Sequence, residues 1–270
     1  MHAITDQEFA DFQRFIYDHA GITLSTAKKA LVSGRLAKRL ALHNIDSYAD
    51  YFSLIRKDGG DERQTAIDLL TTNETYFFRE PKHFEVLRRI ATERRAEGAR
   101  AQPPMRVWSA ASSTGEEAYT IAMVLKDCLQ GKPFEVLGTD ISTRVLQRAR
   151  TAHYPEQRTR NIPPEMLKRY CLKGQGAYAG TLLVDRAVRA HVRFSHANLN
   201  TALPAELGTF DVIFLRNVMI YFNGETKHKV VARVLSLLRP GGYLFIGHSE
   251  SLHGVATSVQ PLMPSVYIKP

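Results

Sequence analysis

Apolar residues recur at helical spacing through the first seventy positions, then give way to short apolar runs separated by amphipathic stretches. Phe9, Phe12, Phe15 and Ile16 share one helical face, Thr5 with Glu8 forms a capping-box pattern, and Gly21 marks a stop. A second helix is expected from Ser25 or Thr26 to Asn44, with Val32, Leu36 and Leu40 on its core face. A third covers 47–57 and ends at Asp58-Gly59-Gly60. Asp61 caps a fourth that carries Ile67, Leu69 and Leu70. Four short helices without a strand predict a small all-α domain over residues 1–70.

From residue 71 the pattern changes. Residues 71–83 form a linker, 81–97 a charged helix and 98–104 a loop. Apolar runs at 106–108, 134–137, 192–194, 210–215 and 243–246 predict strands. Helices are expected over 116–129, from Ser142, and over 225–238, with Pro240-Gly241-Gly242 as a turn before the last strand. Strands alternating with helices predict an α/β domain with a parallel sheet over 84–270. Gly174, Gly176 and Gly180 around 181–184 predict a small β insertion at about 172–191.

Composition narrows this little. The 270 residues are 44% hydrophobic and 23% charged, which excludes a fibrous or wholly disordered chain. No apolar run approaches the roughly 20 residues of a membrane span, and the first residues lack a secretory pattern. Cys128 and Cys171 supply no disulfide framework, so a reducing cytoplasm is the expected location. Both are expected to be buried small side chains, and Trp108 a core residue.

Candidate chemistry lies at the strand ends, where open α/β sheets bind ligands. The first strand runs into Ser109-Ala110-Ala111-Ser112-Ser113-Thr114-Gly115-Glu116-Glu117. A single glycine makes neither a dinucleotide fingerprint nor a phosphate loop, and two carboxylates at a helix start would repel a pyrophosphate. They suit a ligand with a positive group. Asp140 ends the second strand, placed either for ribose hydroxyls or as a helix cap. Asn198 and Asn200 follow the third, for an adenine edge or a turn. Arg216 and Asn217 follow the fourth. Polar groups at four ends of one rim form the nucleoside layout of an S-adenosylmethionine-dependent methyltransferase.

The segments Thr71-Thr72-Asn73-Glu74-Thr75-Tyr76-Phe77-Phe78-Arg79-Glu80, Trp108 through Glu117, Arg216-Asn217-Val218-Met219-Ile220-Tyr221-Phe222 and Gly247-His248-Ser249-Glu250-Ser251-Leu252 resemble the CheR family. These are chemotaxis-receptor glutamate O-methyltransferases, and the resemblance covers nearly the whole chain in order. It implies an all-α domain followed by a Rossmann-like methyltransferase domain with a small antiparallel β insertion. It also implies S-adenosylmethionine as methyl donor, S-adenosylhomocysteine as product, and no metal. By the same resemblance Asn73, Thr75 and Arg79 close over the cofactor, and Glu116 lies beside its amino acid portion. Asp140 takes the ribose, Asn198 and Leu199 the adenine, and Arg216 and Asn217 the reacting end. Arg79 and Tyr221 face the methyl group and the incoming carboxylate. Ala110 and Ala111 stand where methyltransferases commonly carry glycine. A glutamate with a reference pKa near 4.3 arrives ionised, so no general base is needed. The ten histidines show no pair spaced for base or metal work, and His248-Ser249-Glu250 cannot supply triad geometry from adjacent positions.

The net charge of +9 first suggests an acidic partner. It is local. Residues 1–75 are net −2, yet 19–45 hold five basic and no acidic residues. Lys28, Arg35, Lys38 and Arg39 fall near one helical face and are expected to dock acidic chemoreceptor helices. Reversing Arg35 and Arg39 should then slow receptor methylation with cofactor binding intact. A second basic stretch, 144–173, could extend that surface. The 19–45 stretch has no Phe, Tyr or Trp for base stacking, which argues against nucleic acid. A receptor C-terminal tether peptide at the β insertion is a candidate partner, and no membrane insertion is expected. The alternatives are methyl transfer to a non-motility receptor, RNA or a small acid, or a regulator that holds the cofactor without turnover.

Overall fold

The computed structural model describes residues 3–57, 60–96, 103–256 and 258–270. The expected Asp58-Gly59 stop and most of the 98–104 loop lie outside the described residues. Helices α1 (Asp6–Ala20), α2 (Lys29–Leu42), α3 (Tyr48–Lys57) and α4 (Asp61–Leu70) open the chain, with a 3-10 turn at Thr26–Lys28. Helix α5 (Lys82–Ala96) leads to β1 (Met105–Ser109), α6 (Glu116–Leu129), β2 (Phe134–Asp140) and α7 (Thr143–Thr151). Then come β3 (His153–Pro155), α8 (Pro164–Tyr170), β4 (Cys171–Lys173), β5 (Thr181–Val184), α9 (Arg186–Arg189) and β6 (Val192–His196). The chain closes with β7 (Phe210–Leu215), α10 (Gly224–Ser236), β8 (Leu238–Ile246), β9 (Gln260–Met263) and β10 (Val266–Ile268). No described helix is long and apolar enough to cross a membrane.

The main sheet has the order β6-β2-β1-β7-β8-β10-β9. Its first five strands are parallel, and β10 and β9 add antiparallel. All six residues of β7 are buried because both faces are covered. Phe210, Ile213 and Leu215 join one core with Trp108, α10 and the N-terminal helices. Val212 and Phe214 join the other, with α5 and α6. Trp108 is fully buried, as expected of a core residue, and its Nε1 donates to Thr139 Oγ1 at 2.9 Å. A second sheet, β3-β5-β4, is antiparallel.

Two sequence expectations shift, and one hairpin goes unannounced by the sequence. Pro240-Gly241-Gly242 lies within β8 rather than ahead of it, with Gly241 absorbing the irregularity at φ +72°. The small sheet takes its first strand from 153–155, well before 172, while 186–189 is a helical turn. The β9–β10 hairpin carries no apolar alternation strong enough to announce it.

The N-terminal domain is fastened to the sheet. Thr5 and Glu8 form the capping box of α1, and Gly21 ends it at φ +70°. A Cβ on Gly21 would lie 2.7 Å from Thr226 Cγ2, so only glycine fits both the angle and the approach. Ile22 bridges to Phe222, and Thr23 N donates to Tyr221 O at 2.8 Å. Asp68 reaches from α4 to the start of α7, where it accepts from Thr143 N (3.0 Å), Thr143 Oγ1 (2.9 Å) and Arg144 N (3.0 Å). It thereby satisfies helix N-terminal donors from another domain.

The basic face of α2 is corrected by the same packing. Arg39 is turned inward and pairs with buried Glu62 through Nε (2.9 Å) and Nη2. Tyr51 Oη donates to the same carboxylate at 2.6 Å, and His43 Nε2 lies 3.0 Å from it. Arg35 Nη1 donates to Leu70 O (3.3 Å) and Thr71 O (2.9 Å), carbonyls that the end of α4 leaves open. These two arginines hold the domain together rather than forming a solvated strip. Lys28 and Lys38 remain exposed.

Burial alone would raise the Glu62 carboxyl, but the hydrogen bonds from Arg39, Tyr51 and His43 bring it down to about 2. A carboxylate depressed on folding stabilises above its unfolded pKa, near 4.5, and loses that contribution as pH falls toward 2. Glu62→Gln should therefore destabilise the protein by about 3 kcal/mol at pH 7 in denaturant titrations. The difference from wild type should shrink as pH falls below 4.5.

Candidate functional site

The parallel strands end on one rim, and the segments beyond them wall a cavity. It lies where strand order reverses, with β2 on one side of β1 and β7 on the other. After β1, Ala110 N donates to Phe214 O and Ser112 N to Thr139 O, each at 2.8 Å, tying the turn to both neighbouring strands. Ala110, Ala111 and Ser113 face the cavity. Gly115 closes the turn at φ +93°, where a Cβ would lie 2.9 Å from Ala149 Cβ.

Asp140 lines the cavity from the end of β2. Its Oδ2 accepts from Ser113 N and its Oδ1 from Ser142 N, each at 2.9 Å. Each oxygen keeps a lone pair for a ligand hydroxyl. Burial pushes the carboxyl up to about 6, against the pull of the backbone N–H groups of Ser142, Ser113 and Ile141 and with a further push from nearby Asp68. The helix cap at this point is Ser142, whose side chain accepts from Val145 N.

Asn198 and Leu199 line the cavity after β6. The Asn198 side chain is committed, donating from Nδ2 to His19 O at 2.6 Å and accepting from Asn200 N at 2.9 Å. It closes a turn and holds α1 to the rim, so a base edge would meet the backbone there.

Arg216 is the electrostatic centre of the wall. Its side chain is 1% exposed, yet it pairs with Glu117 through Nη1 (2.9 Å) and with Glu80 through Nη2 (3.0 Å). Nη2 also donates to Arg79 O at 2.5 Å. Asn217, at φ +57°, donates from Nδ2 to Glu80 Oε1 and from its backbone to Glu250. Burial would raise the Glu80 carboxyl, but Arg216 and the N–H donors around it hold it below the usual range.

The linker supplies the remaining wall. Asn73, Thr75 and Arg79 all face the cavity. Ser113 Oγ donates to Asn73 O at 2.9 Å, and Arg79 Nη1 donates to Glu74 O at 2.9 Å. Tyr221 faces the same space. Burial raises its phenol, which the nearby Arg79 charge opposes.

One expected residue is misplaced by a single position. Glu116 is fully buried behind the turn, accepting from Thr114 Oγ1 at 2.6 Å and Arg158 Nη1 at 2.9 Å, and it does not line the cavity. Glu117 does. Successive helical residues point about 100° apart, so only one of two adjacent glutamates can face the ligand. Ala20 and Ile22 also line the cavity, a contribution from the N-terminal domain whose only sequence trace is Gly21.

This donor set fits S-adenosylmethionine. Asp140 offers two acceptor positions for a ribose diol, and the Ala110–Ala111 turn leaves room for close approach. Glu117 and the arginines offer opposite charges for an amino acid's ammonium and carboxylate.

Comparison with known proteins gives the chain a family. Residues 73–268 match the family described as CheR methyltransferase, SAM binding domain, and residues 7–71 match CheR methyltransferase, all-alpha domain. A chemotaxis protein methyltransferase of Klebsiella aerogenes is 40% identical over 94% of this chain and 86% of its own. That of Escherichia coli is 40% identical over 92% and 86%, and chemotaxis protein methyltransferase 2 of Pseudomonas aeruginosa 39% over 97% and 93%.

An ionised Asp140 carboxylate offers acceptors for both hydroxyls of a ribose diol, and a protonated one loses part of that capacity. Affinity for S-adenosylhomocysteine, measured by calorimetry, should fall about tenfold between pH 7.5 and pH 5. Asp140→Asn should bind weakly throughout, with a flat profile over that range.

Proposed function

The chain belongs to the CheR methyltransferase family, and we propose that it methylates glutamate side chains on the cytoplasmic helices of chemoreceptors. The observation that carries this reading is the convergence of the linker, the strand-end rim and the Arg79–Tyr221 pair on one cavity. The methyl donor supplies an electrophilic carbon on a sulfonium, and a substrate carboxylate that attacks it gives a glutamyl methyl ester and S-adenosylhomocysteine. No proton moves in that step, so the protein's task is positioning and desolvation.

Arg79 and Tyr221 are assigned to the incoming carboxylate. A full bidentate clamp would blunt the nucleophile. Arg79 already spends one donor on Glu74 O, which leaves a partial contact for orientation. Asn73, Thr75, Glu117, Asp140, Leu199, Arg216 and Asn217 are assigned to the methyl donor, with Asn198 holding the loop. Lys28 and Lys38 remain the docking candidates of the N-terminal domain, and the 144–173 stretch supplements them. The β insertion exposes Leu172 (51%) and Tyr178 (64%) beside a groove that His153, Lys173 and Thr181 also line. That surface suits an aromatic-bearing tether peptide. The location is the cytoplasm, where receptor signalling helices reside.

Labelled methyl transfer to a panel of receptor cytoplasmic fragments tests the reading: base-labile label on at least one fragment is expected, and none on any would refute it. Arg79→Ala should lower turnover about 10- to 100-fold, well beyond its effect on cofactor affinity. Unchanged turnover would remove its catalytic role. Charge reversal at Lys28 and Lys38 should weaken receptor methylation several-fold while leaving S-adenosylhomocysteine binding unchanged. Arg35→Ala should weaken that binding too, because Arg35 holds the start of the linker.

A further inference from the structure

Two histidines far apart in sequence meet at one carboxylate behind the cavity wall. His83, at the start of α5, is 1% exposed. Its Nε2 lies 2.7 Å from Ser265 Oγ, and that hydroxyl donates to Pro264 O at 2.6 Å. In the tautomer that leaves the hydroxyl bonded to Pro264 O, Nε2 donates to Ser265 and Nδ1 presents a lone pair toward Glu80. Nδ1 has no hydrogen-bond partner and lies 3.3 Å from Glu80 Oε2. In that tautomer two acceptors face each other in a buried place, an arrangement that a metal cation between them relieves as a proton would.

A third ligand is at hand. His248, in the loop after β8, brings Nε2 to 3.9 Å from the same Glu80 oxygen, with its ring centroid 4.8 Å from that of His83. One ligand atom from each of the three residues lies within 4.8 Å of the others. Tetrahedral ligands about 2.1 Å from a zinc ion lie about 3.4 Å apart, so this cluster needs only a small contraction.

We infer that Glu80, His83 and His248 form a binding site for a divalent transition-metal cation of the zinc class. Two imidazoles and one carboxylate are the borderline donors such ions take, and three protein ligands leave a fourth position for water. The outer contacts fit as well. His83 donates its other ring nitrogen to Ser265, as ligating imidazoles do to a nearby oxygen. Glu80 Oε1 is fixed by Asn217 Nδ2 (3.3 Å) and His248 N (3.2 Å). In this network Glu80 and Glu117 both pair with the single Arg216 guanidinium, an excess of negative charge that a divalent ion would offset. His248 is 51% exposed and provides the entry path.

The test is a zinc titration of the chelator-treated full-length protein against a chromophoric competitor, with cobalt absorption as a second readout. One equivalent should bind, and cobalt should give the intense visible bands of tetrahedral coordination. His248→Ala, which changes an exposed side chain, should retain the fold by circular dichroism and lower zinc affinity at least about tenfold. Absence of stoichiometric binding in the wild type would overturn the site. Equal affinity in wild type and His248→Ala would do the same, since the metal would then sit elsewhere.

Discussion

A guanidinium buried to 1% exposure must find its partners inside the protein, and Arg216 takes them from three directions. Glu117 comes from α6, Glu80 and the Arg79 carbonyl come from the linker, and the rings of Phe84 and Phe214 lie 5.6 and 5.9 Å from its Cζ. Desolvating such a charge is costly, and removing one partner would leave several kcal/mol uncompensated. The linker therefore cannot leave the wall without stripping the buried guanidinium of Glu80 and the Arg79 carbonyl. One ion network orders the segment between the domains and sets the floor of the cavity it closes.

The second fastening works on the opposite side of the cavity. Asp68 caps α7 across the domain boundary, Asn198 holds the His19 carbonyl, and Gly21 lets α1 approach α10 closely. Ala20 and Ile22 consequently belong to the cavity wall. The N-terminal domain thus contributes to the wall of the cavity at the strand ends. Its arginines show a double duty. Arg35 closes the open carbonyls at the end of α4, where the linker begins, so a charge that looks available for docking is spent on shaping the site.

What the sequence disclosed follows from which interactions are periodic or local. The strand and helix alternation, the capping box at Thr5 and the Asp140 rim position all rest on short-range patterns, and the structure holds each of them. The errors are long-range. Nothing local distinguishes Arg39 from Lys38, yet one meets Glu62 from a helix 23 residues away and the other meets solvent. The choice between Glu116 and Glu117 depends on the phase of α6 against the sheet. The His83–His248 encounter depends on a strand order that brings two residues 165 positions apart to one edge.

The shifted ionisations clarify how the chemistry is organised. Strongly perturbed groups often mark acid–base centres. Here burial raises Tyr119 and Tyr154 and pushes the Cys171 thiol up to about 12, and none of these lines the cavity. Glu116, raised by burial as well, braces the glycine turn from behind. These groups are structural, and a reaction whose nucleophile arrives already ionised has no use for a poised base. The perturbed carboxyl that does face the cavity, Asp140, is held by two backbone amides that leave it acceptor capacity rather than a proton to trade. A site built this way gains rate by fixing two charged partners in line and excluding water, and its tolerance for error lies in the linker that Arg216 holds.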